Sequence, residues 1–406
     1  MKILSIETSC DETAICLIEA TGELQSPIFS ILGNALISQI NIHKEYGGVF
    51  PKLAKREHAK NLPPILKEVL KQSLMFDELK NNIKTNWEEL EKILSKEHGL
   101  FDSFKTIFEK IKKPNIDLIS VTSGPGLAPA LWVGITFAQA LGKLWGIPVI
   151  PVNHMEGHIA SVLMNKTEEF SISNFRFLNK SNSIHFPALA LLISGGHTEL
   201  VKINNWGKYE IIGKTCDDAV GEAFDKVARM LGLPYPGGPE ISKLAQNARQ
   251  NNIPHIAKFP RPMIHSNDLN FSFAGLKTSV LYYIRDNFKK SPNGSVILNN
   301  NARMDIAREF EDAVGEVLIS KTKRAIEDIG VKTLIVAGGV IANKKLRESF
   351  INLENEYSEL SIMIPASAMA TDNAVMIGLA TYINVMLSPK ITNEHKKIVA
   401  EGNLTL

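Results

Sequence analysis

The sequence predicts an α/β fold in two lobes, on three observations. Short apolar runs of strand character alternate with stretches of helical period, as in sheets covered by helices. At 406 residues the chain exceeds what one hydrophobic core usually supports, so two lobes are expected. A hairpin with a polar tip occurs near the start and again near the middle.

In chain order, Ile3–Ile6 and Ala14–Ile18 flank the polar turn Thr8-Ser9-Cys10-Asp11-Glu12-Thr13, which reads as a hairpin. Asp117–Val121 is the next strand, followed by Ser123-Gly124-Pro125-Gly126. A helix is predicted from Trp132 to Trp145, stopped by Gly146 and Pro148. Val149–Val152 is a strand, and Asn153 caps a helix that carries His154 and His158. Ala188–Ile193 and Leu200–Ile203 flank Ser194-Gly195-Gly196-His197-Thr198 as the second hairpin. A long amphipathic helix runs from Met304 to Ile329. Its buried stripe is Ile306, Phe310, Val314, Val317 and Ile326, and Gly330 stops it. Thr333–Ala337 is a strand leading into Gly338-Gly339. Two segments read as additions without catalytic motifs: 73–113, charged and helix-prone, and 165–186, a polar surface loop.

Apolar residues make up 44% and charged residues 22%, an ordinary globular balance. A net charge of +2 argues neither for nor against a nucleic-acid partner, so any basic patch is local. Two candidate patches are His43–Lys60, where Lys44, Lys52, Lys55, Arg56 and Lys60 outnumber Glu45 and Glu57, and Lys258–Pro262. Cys10, Cys16 and Cys216 form no Cys-x-x-Cys pair, which suggests a reducing compartment. No signal-peptide segment and no membrane-length apolar run is present, so a cytoplasmic protein without a membrane partner is expected.

His154 and His158 are four residues apart, which puts both imidazoles on one helical face as two ligands for one transition metal. The alternative is a buried, hydrogen-bonded pair. Asp372, at an expected helix start, is a candidate third ligand or an N-cap, and spacing alone leaves both open. The zincin motif His-Glu-x-x-His has its Glu directly after the first His. Here Met155 stands there and Glu156 one place later, turned about 100° away, which argues against peptide hydrolysis. Gly195-Gly196, Gly237-Gly238 and Gly338-Gly339 are double-glycine turns at element ends, suited to a nucleotide-sized anionic ligand. No Gly-Lys-Ser/Thr phosphate loop and no Gly-x-Gly-x-x-Gly after a strand is present. Asp11, Glu12, Asp217, Asp218, Glu222 and Asp225 crowd these turns. Asp218, Glu222 and Asp225 are expected on one helical face as binders of Mg²⁺, ribose hydroxyls or an amine.

Taken together, Ser5–Thr13, Tyr46–Pro51, Asn153–His158, Ile193–Glu199, Asp217–Lys226 with Pro236-Gly237-Gly238-Pro239, Phe271–Thr278, Ala337–Asn343 and Ala370–Asn373 closely resemble the TsaD family, in that family's order. The resemblance implies a two-lobed actin-like, heat-shock-ATPase and sugar-kinase fold with the two additions as family-atypical insertions. It implies transfer of a threonylcarbamoyl group from threonylcarbamoyl-adenylate to the N6 amine of the adenosine next to the anticodon, in tRNAs reading codons that begin with A. It implies that His154, His158 and Asp372 hold a divalent metal, Fe²⁺ ahead of Zn²⁺, with Mg²⁺ accompanying nucleotide. Leu192, Ile193, Ser194, Gly195 and Gly196 would line the substrate. Asp225, Gly238 and Asn343 would bind its adenylate part, with Asp225 on the ribose. Asp11 and Glu12 would be catalytic, near the reacting carbonyl. Ser242 stands where the family carries an acid or a serine. tRNA, a paralogous TsaB-like subunit and a TsaE-like ATPase would be the partners. The expected division is 1–150, completed by a C-terminal helix at 375–406, and 151–374. A small-molecule kinase or a chaperone-like ATPase of the same fold is the alternative.

Overall fold

The computed structural model describes residues 1–164, 184–289, 296–393 and 397–406. The chain divides into two compact units. Unit 1 is Met1–Ser183 with Asp372–Leu406, and unit 2 is Ile184–Thr371.

Unit 1 begins with β1 (Lys2–Glu7), β2 (Glu12–Glu23) and β3 (Ser26–Ser38), an antiparallel meander. After α1 (Ile40–His43), α2 (Pro51–Gln72), α3 (Trp87–Leu94) and α4 (Leu100–Phe108), β4 (Leu118–Gly124) joins β1 in parallel. Then α5 (Ala128–Trp145) leads to β5 (Val149–Asn153), parallel to β4, and to α6 (His154–Ala160). Unit 2 repeats the scheme. The strands β6 (Ala188–Ile193), β7 (Thr198–Asn205) and β8 (Lys208–Lys214) form its meander. There follow α7 (Val220–Met230), α8 (Gly237–Gln250), α9 (Ala274–Asn287) and α10 (Asn300–Ile329). Next come β9 (Thr333–Ala337), α11 (Lys344–Ile351), β10 (Ser361–Met363) and α12 (Ser367–Ala370). The chain re-enters unit 1 in α13 (Ala374–Leu387).

The sheet orders are β3-β2-β1-β4-β5 and, read in the same sense, β8-β7-β6-β9-β10. Each sheet is a three-stranded meander whose first strand pairs in parallel with a fourth strand, which pairs in parallel with a fifth. This is the two-sheet actin-like architecture. Strands β4, β6 and β9 are buried along their whole length, as strands covered on both faces must be. That explains why they read as continuous apolar runs. No helix of the described residues is long and apolar enough to cross a membrane.

Two expectations need correction. Residues 151–164 belong to unit 1 and not to the second lobe, because β5 pairs with β4 and α6 packs on α13. Unit 1 is closed by a shorter helix, α13, which ends at Leu387. Segment 73–113, read as an addition, contributes to the core of unit 1. Leu90, Leu94, Leu100, Phe104, Phe108 and Ile111 are buried in one cluster with Leu62, Leu66 and Val69 of α2 and with Ile135 and Leu141 of α5. The predicted loop 165–186 lies outside the described residues except for 184–186.

A buried polar network ties α2 to the first meander. His58 Nε2 lies 3.0 Å from the Cys10 carbonyl, and Nδ1 lies 2.8 Å from Thr13 Oγ1. A carbonyl only accepts, so Nε2 carries the hydrogen and the threonine hydroxyl donates to Nδ1. Burial holds the His58 pKa down, to about 4 from an ordinary 6.5. The unfolded chain therefore takes up a proton that the folded chain excludes. This group's stability is complete above pH 6.5 and is lost as pH falls toward 4, on the order of 3 kcal/mol. His58→Gln should flatten that stretch of a pH–stability curve measured by urea denaturation. An unchanged curve would contradict the neutral, buried assignment. In the same assay, Phe104→Ala should cost about 3–5 kcal/mol. A loss within experimental error would show that segment 73–113 is not core.

Candidate functional site

Two sites are built, one in each unit. The first starts from a cap. Asn153 ends β5, and its side chain accepts from Met155 N at 2.8 Å, so α6 begins at His154. His154 and His158 then stand one turn apart, their rings perpendicular with centroids 4.7 Å apart. Against this helix lies α13, brought close at Gly157, where a Cβ would come within 3.1 Å of Met376 and Ile377 side-chain carbons. Asn373, not Asp372, caps α13, accepting from Met376 N at 3.0 Å. The Asp372 carboxylate is thereby left for the imidazoles. Its Oδ1 is 3.4 Å from His154 Nε2 and 3.3 Å from His158 Nε2.

Behind His154 stands Glu7, the last residue of β1 and fully buried. Its Oε2 is 3.2 Å from His154 Nδ1 and accepts from Thr122 Oγ1 at 2.5 Å, while Oε1 accepts from Ser9 N at 2.5 Å. Burial alone would raise the Asp372 carboxyl, but the imidazoles, His154 foremost, hold it well below the usual carboxylate range. Burial alone would lower His154, but Asp372 and then Glu7 raise it.

The residues fit a metal on three counts. Both His158 ring nitrogens are buried without a hydrogen bond, a costly arrangement unless something else binds one of them. The buried Glu7 and the partly exposed Asp372 face two imidazoles, an excess of negative charge that a divalent cation would compensate. Ligand bonds of about 2.0–2.2 Å at tetrahedral angles set donor atoms about 3.4 Å apart, as Asp372 Oδ1 is from each Nε2. Glu7 would then orient His154, as carboxylates behind ligating imidazoles do. Glu156 faces elsewhere, accepting from Asn384 Nδ2 at 2.9 Å. His255, Glu309 and Asp312 also cluster, but Arg261 and Arg249 already neutralise these carboxylates.

At the tip of the first hairpin, Asp11 and Glu12 are both in unit 1. Glu12 accepts from Ser38 Oγ at 3.2 Å. Burial, then Asp11 and Asp372, push its pKa up to about 10.

The second site is a cavity of about 520 Å³ in unit 2, within the usual size for a small-molecule site. Gly195, Asp225, Gly238 and Asn343 line it, as do Ser242, Lys243 and Lys344. Asp225 Oδ1 accepts from Gly237 N at 2.7 Å and so fastens the loop that opens α8. Asn343 caps α11 and donates to Glu311 Oε1 at 2.6 Å, while Arg249 Nη1 donates to Glu311 Oε2 at 2.6 Å. Of the paired glycines, Gly237 and Gly338 serve close packing, whereas a Cβ on Gly195, Gly196, Gly238 or Gly339 would meet nothing within 4 Å. A Cβ on Gly338, at φ +100°, would meet the Ile193 carbonyl oxygen at 2.4 Å.

Not every predicted residue reaches this cavity. Leu192 and Ile193 are fully buried in β6, and Ser194 and Gly196 stay in the turn, where Ser194 Oγ accepts from His197 N at 3.1 Å. Asp218 precedes α7 and is not on a face with Glu222 and Asp225. Lys226 and Lys277 neutralise it, and Lys226 also binds Glu222, so these two acids are ion-paired rather than poised for Mg²⁺. Asp217 is taken up at the start of α9, accepting from Phe273 N and Ala274 N. Sequence reasoning missed Glu7, Lys243, Lys344 and Glu311. Glu7 carried a signal, the one acid of a strand built on Ile3, Leu4 and Ile6.

The chain matches the family model described as TsaD, tRNA N6-adenosine threonylcarbamoyltransferase, over residues 30–81 and 103–379. Similar proteins carrying that same description include one from Polynucleobacter necessarius subsp. necessarius. It is 40% identical, over 95% of this chain and 93% of that protein. Another, from Thermosipho africanus, is 40% identical over 94% of each. Of solved structures, full-length HypF in its phosphate- and nucleotide-bound form aligns with a TM-score of 0.48 and 11% identity, covering 95% of this chain and 46% of that one.

Reconstituted with Zn²⁺ or Fe²⁺, the protein should bind one ion per chain by elemental analysis, and His158→Ala should bind none. Glu7→Gln should keep that stoichiometry but weaken affinity about 10–100-fold. Full metal content in His158→Ala would remove the candidate centre.

Proposed function

The chain belongs to the TsaD family of tRNA N6-adenosine threonylcarbamoyltransferases, and from this premise we propose the reaction it carries out. It transfers the threonylcarbamoyl group of threonylcarbamoyl-adenylate to the N6 amine of the adenosine next to the anticodon, in tRNAs reading codons that begin with A. The single observation carrying this reading beyond family membership is the buried convergence of His154, His158 and Asp372 with Glu7 behind them.

His154, His158 and Asp372 would hold one divalent transition metal, Fe²⁺ ahead of Zn²⁺. When bound it supplies Lewis-acid polarisation of an acyl or phosphate oxygen. Glu7 keeps a hydrogen on His154 Nδ1 and so presents Nε2 outward. The Asp372 side chain is 22% exposed while His154 is 7% and His158 0%, so the open side of the centre lies at the carboxylate. Glu156, held by Asn384, is not beside the imidazoles as a hydrolytic base would be, which favours transfer to an amine over peptide hydrolysis. In unit 2, Asp225 would meet the ribose, Lys243 and Lys344 the phosphate, and Gly238 and Asn343 the adenylate. Leu192 and Ile193 would contribute as the strand that positions the Ser194-Gly195-Gly196 turn. The adenine amine is a weak nucleophile, so positioning supplies much of the rate. Glu12, whose carboxyl burial pushes upward, is suited to donate a hydrogen bond to the leaving group or carbonyl when protonated, and Asp11 to take the proton from the amine.

The partners in this reading are tRNA, a TsaB-like paralogous subunit and a TsaE-like ATPase, with Mg²⁺ accompanying nucleotide, and a tRNA substrate implies a cytoplasmic protein. A kinase or chaperone-like ATPase would leave the histidine and aspartate cluster without a role.

The test is one reaction: purified chain, tRNA and preformed threonylcarbamoyl-adenylate, with and without the two partners, read by mass spectrometry of the nucleosides. Modified adenosine should form, His154→Ala should abolish it, and Glu156→Gln should retain most of it. No product in any combination would overturn the assignment.

A further inference from the structure

We propose that Tyr46 and Phe50 form a stacking platform for an unpaired base of the RNA substrate, an inference that rests on the transferase reading above. The two rings are stacked, with centroids 5.7 Å apart and planes 20° from parallel. Both are open to solvent, Tyr46 at 61% and Phe50 at 47%. The turn between them makes this possible. Gly47 adopts φ +67°, which folds the chain back so that residues four apart meet.

The platform is anchored. Phe50 N donates to His43 Nδ1 at 3.3 Å, and His43 Nε2, which then carries the ring hydrogen, donates to Gln39 Oε1 at 3.1 Å. Gln39 N donates to the Asp11 carbonyl at 2.9 Å. Three hydrogen bonds through buried residues thus connect the aromatic pair to the turn bearing Asp11 and Glu12. The surroundings suit a polyanion. Lys52, Arg56 and Lys60 repeat every four residues along an exposed stripe of α2, which starts immediately after Phe50 and has no acid in its first turn. Arg56 and Lys60 share the single carboxylate of Glu57, and Lys44 precedes the pair. Two exposed stacked rings beside spare cations are what a single-stranded nucleic acid uses, bases on the rings and phosphates on the cations. An apolar protein partner would have no use for the cations.

The probe is an anticodon stem-loop RNA with 2-aminopurine replacing the adenosine next to the anticodon, titrated with the full chain, alone and with its TsaB-like and TsaE-like partners. Wild type should quench the fluorophore by stacking. The double variant Tyr46→Ala, Phe50→Ala should lose the quenching and bind about 5- to 100-fold more weakly, and Tyr46→Trp should keep both. The alanine variant's melting temperature should match wild type, since both rings are exposed. Unchanged RNA affinity and quenching in the double variant would overturn the proposal. So would loss of partner-subunit binding with RNA affinity intact, which would make the surface a protein dock. The transferase reading fails separately: wild type then forms no modified adenosine. If wild type is active and the double variant shows the same KM for RNA, only the platform is refuted.

Discussion

A carboxylate drawn out of water must find compensating charge, and Asp372 finds it in two buried imidazoles that are more than 200 residues away in sequence. Much of unit 1 serves that requirement. Asn153 starts α6 so that the imidazoles lie one turn apart, and Gly157 lets α13 approach. Asn373 takes the capping role that would otherwise occupy Asp372. Glu7 closes the arrangement from behind, held by Thr122 and the Ser9 amide so that its own charge is shared. Removing one member of such a cluster leaves the others buried and unpaired, which costs more than a surface pair is worth.

Local signals made much of the fold legible. Apolar runs bounded by polar turns gave β1, β2, β6 and β7, and the helical period with Gly330 gave α10. β3 was not read, because Gly33 and Asn34 interrupt its alternation. The first lobe boundary was misplaced because sheet membership is decided by pairing partners, and nothing within Val149–Asn153 names β4 as its neighbour. Segment 73–113 read only as a charged, helix-prone addition because its charges outnumber its apolar residues. Yet Leu90, Leu94, Leu100 and Phe104 fall on the inner sides of two short helices. At the candidate site, the histidine spacing was legible and Asp372 was one of two readings. Choosing between cap and ligand required seeing that Asn373 was the cap. The acids Asp217, Asp218 and Glu222 were misjudged because their cationic and amide partners, Lys226, Lys277 and the start of α9, become neighbours only on folding.

The repeated sheet scheme puts different chemistry on equivalent positions. The turn after β1 carries acids, with Glu7 just before it and Asp11 and Glu12 at its tip. The turn after β6 carries glycines, and the groups nearby that line a cavity include two lysines. One topology thus presents carboxylates in unit 1 and backbone amides with cations in unit 2.

The discontinuous make-up of unit 1 has a consequence for the order of events during synthesis. Unit 2 is a single uninterrupted stretch and is complete once Thr371 has left the ribosome. Unit 1 begins first but finishes last. Until Asp372 and α13 emerge, β1, β2 and α6 lack the helix that covers them, and the two histidines lack their carboxylate. At translation rates of about 5–20 residues per second, the nascent first unit waits for the whole of the second. Metal loading at the proposed centre would thereby be a late step, open only to a chain from which Asp372 has already emerged.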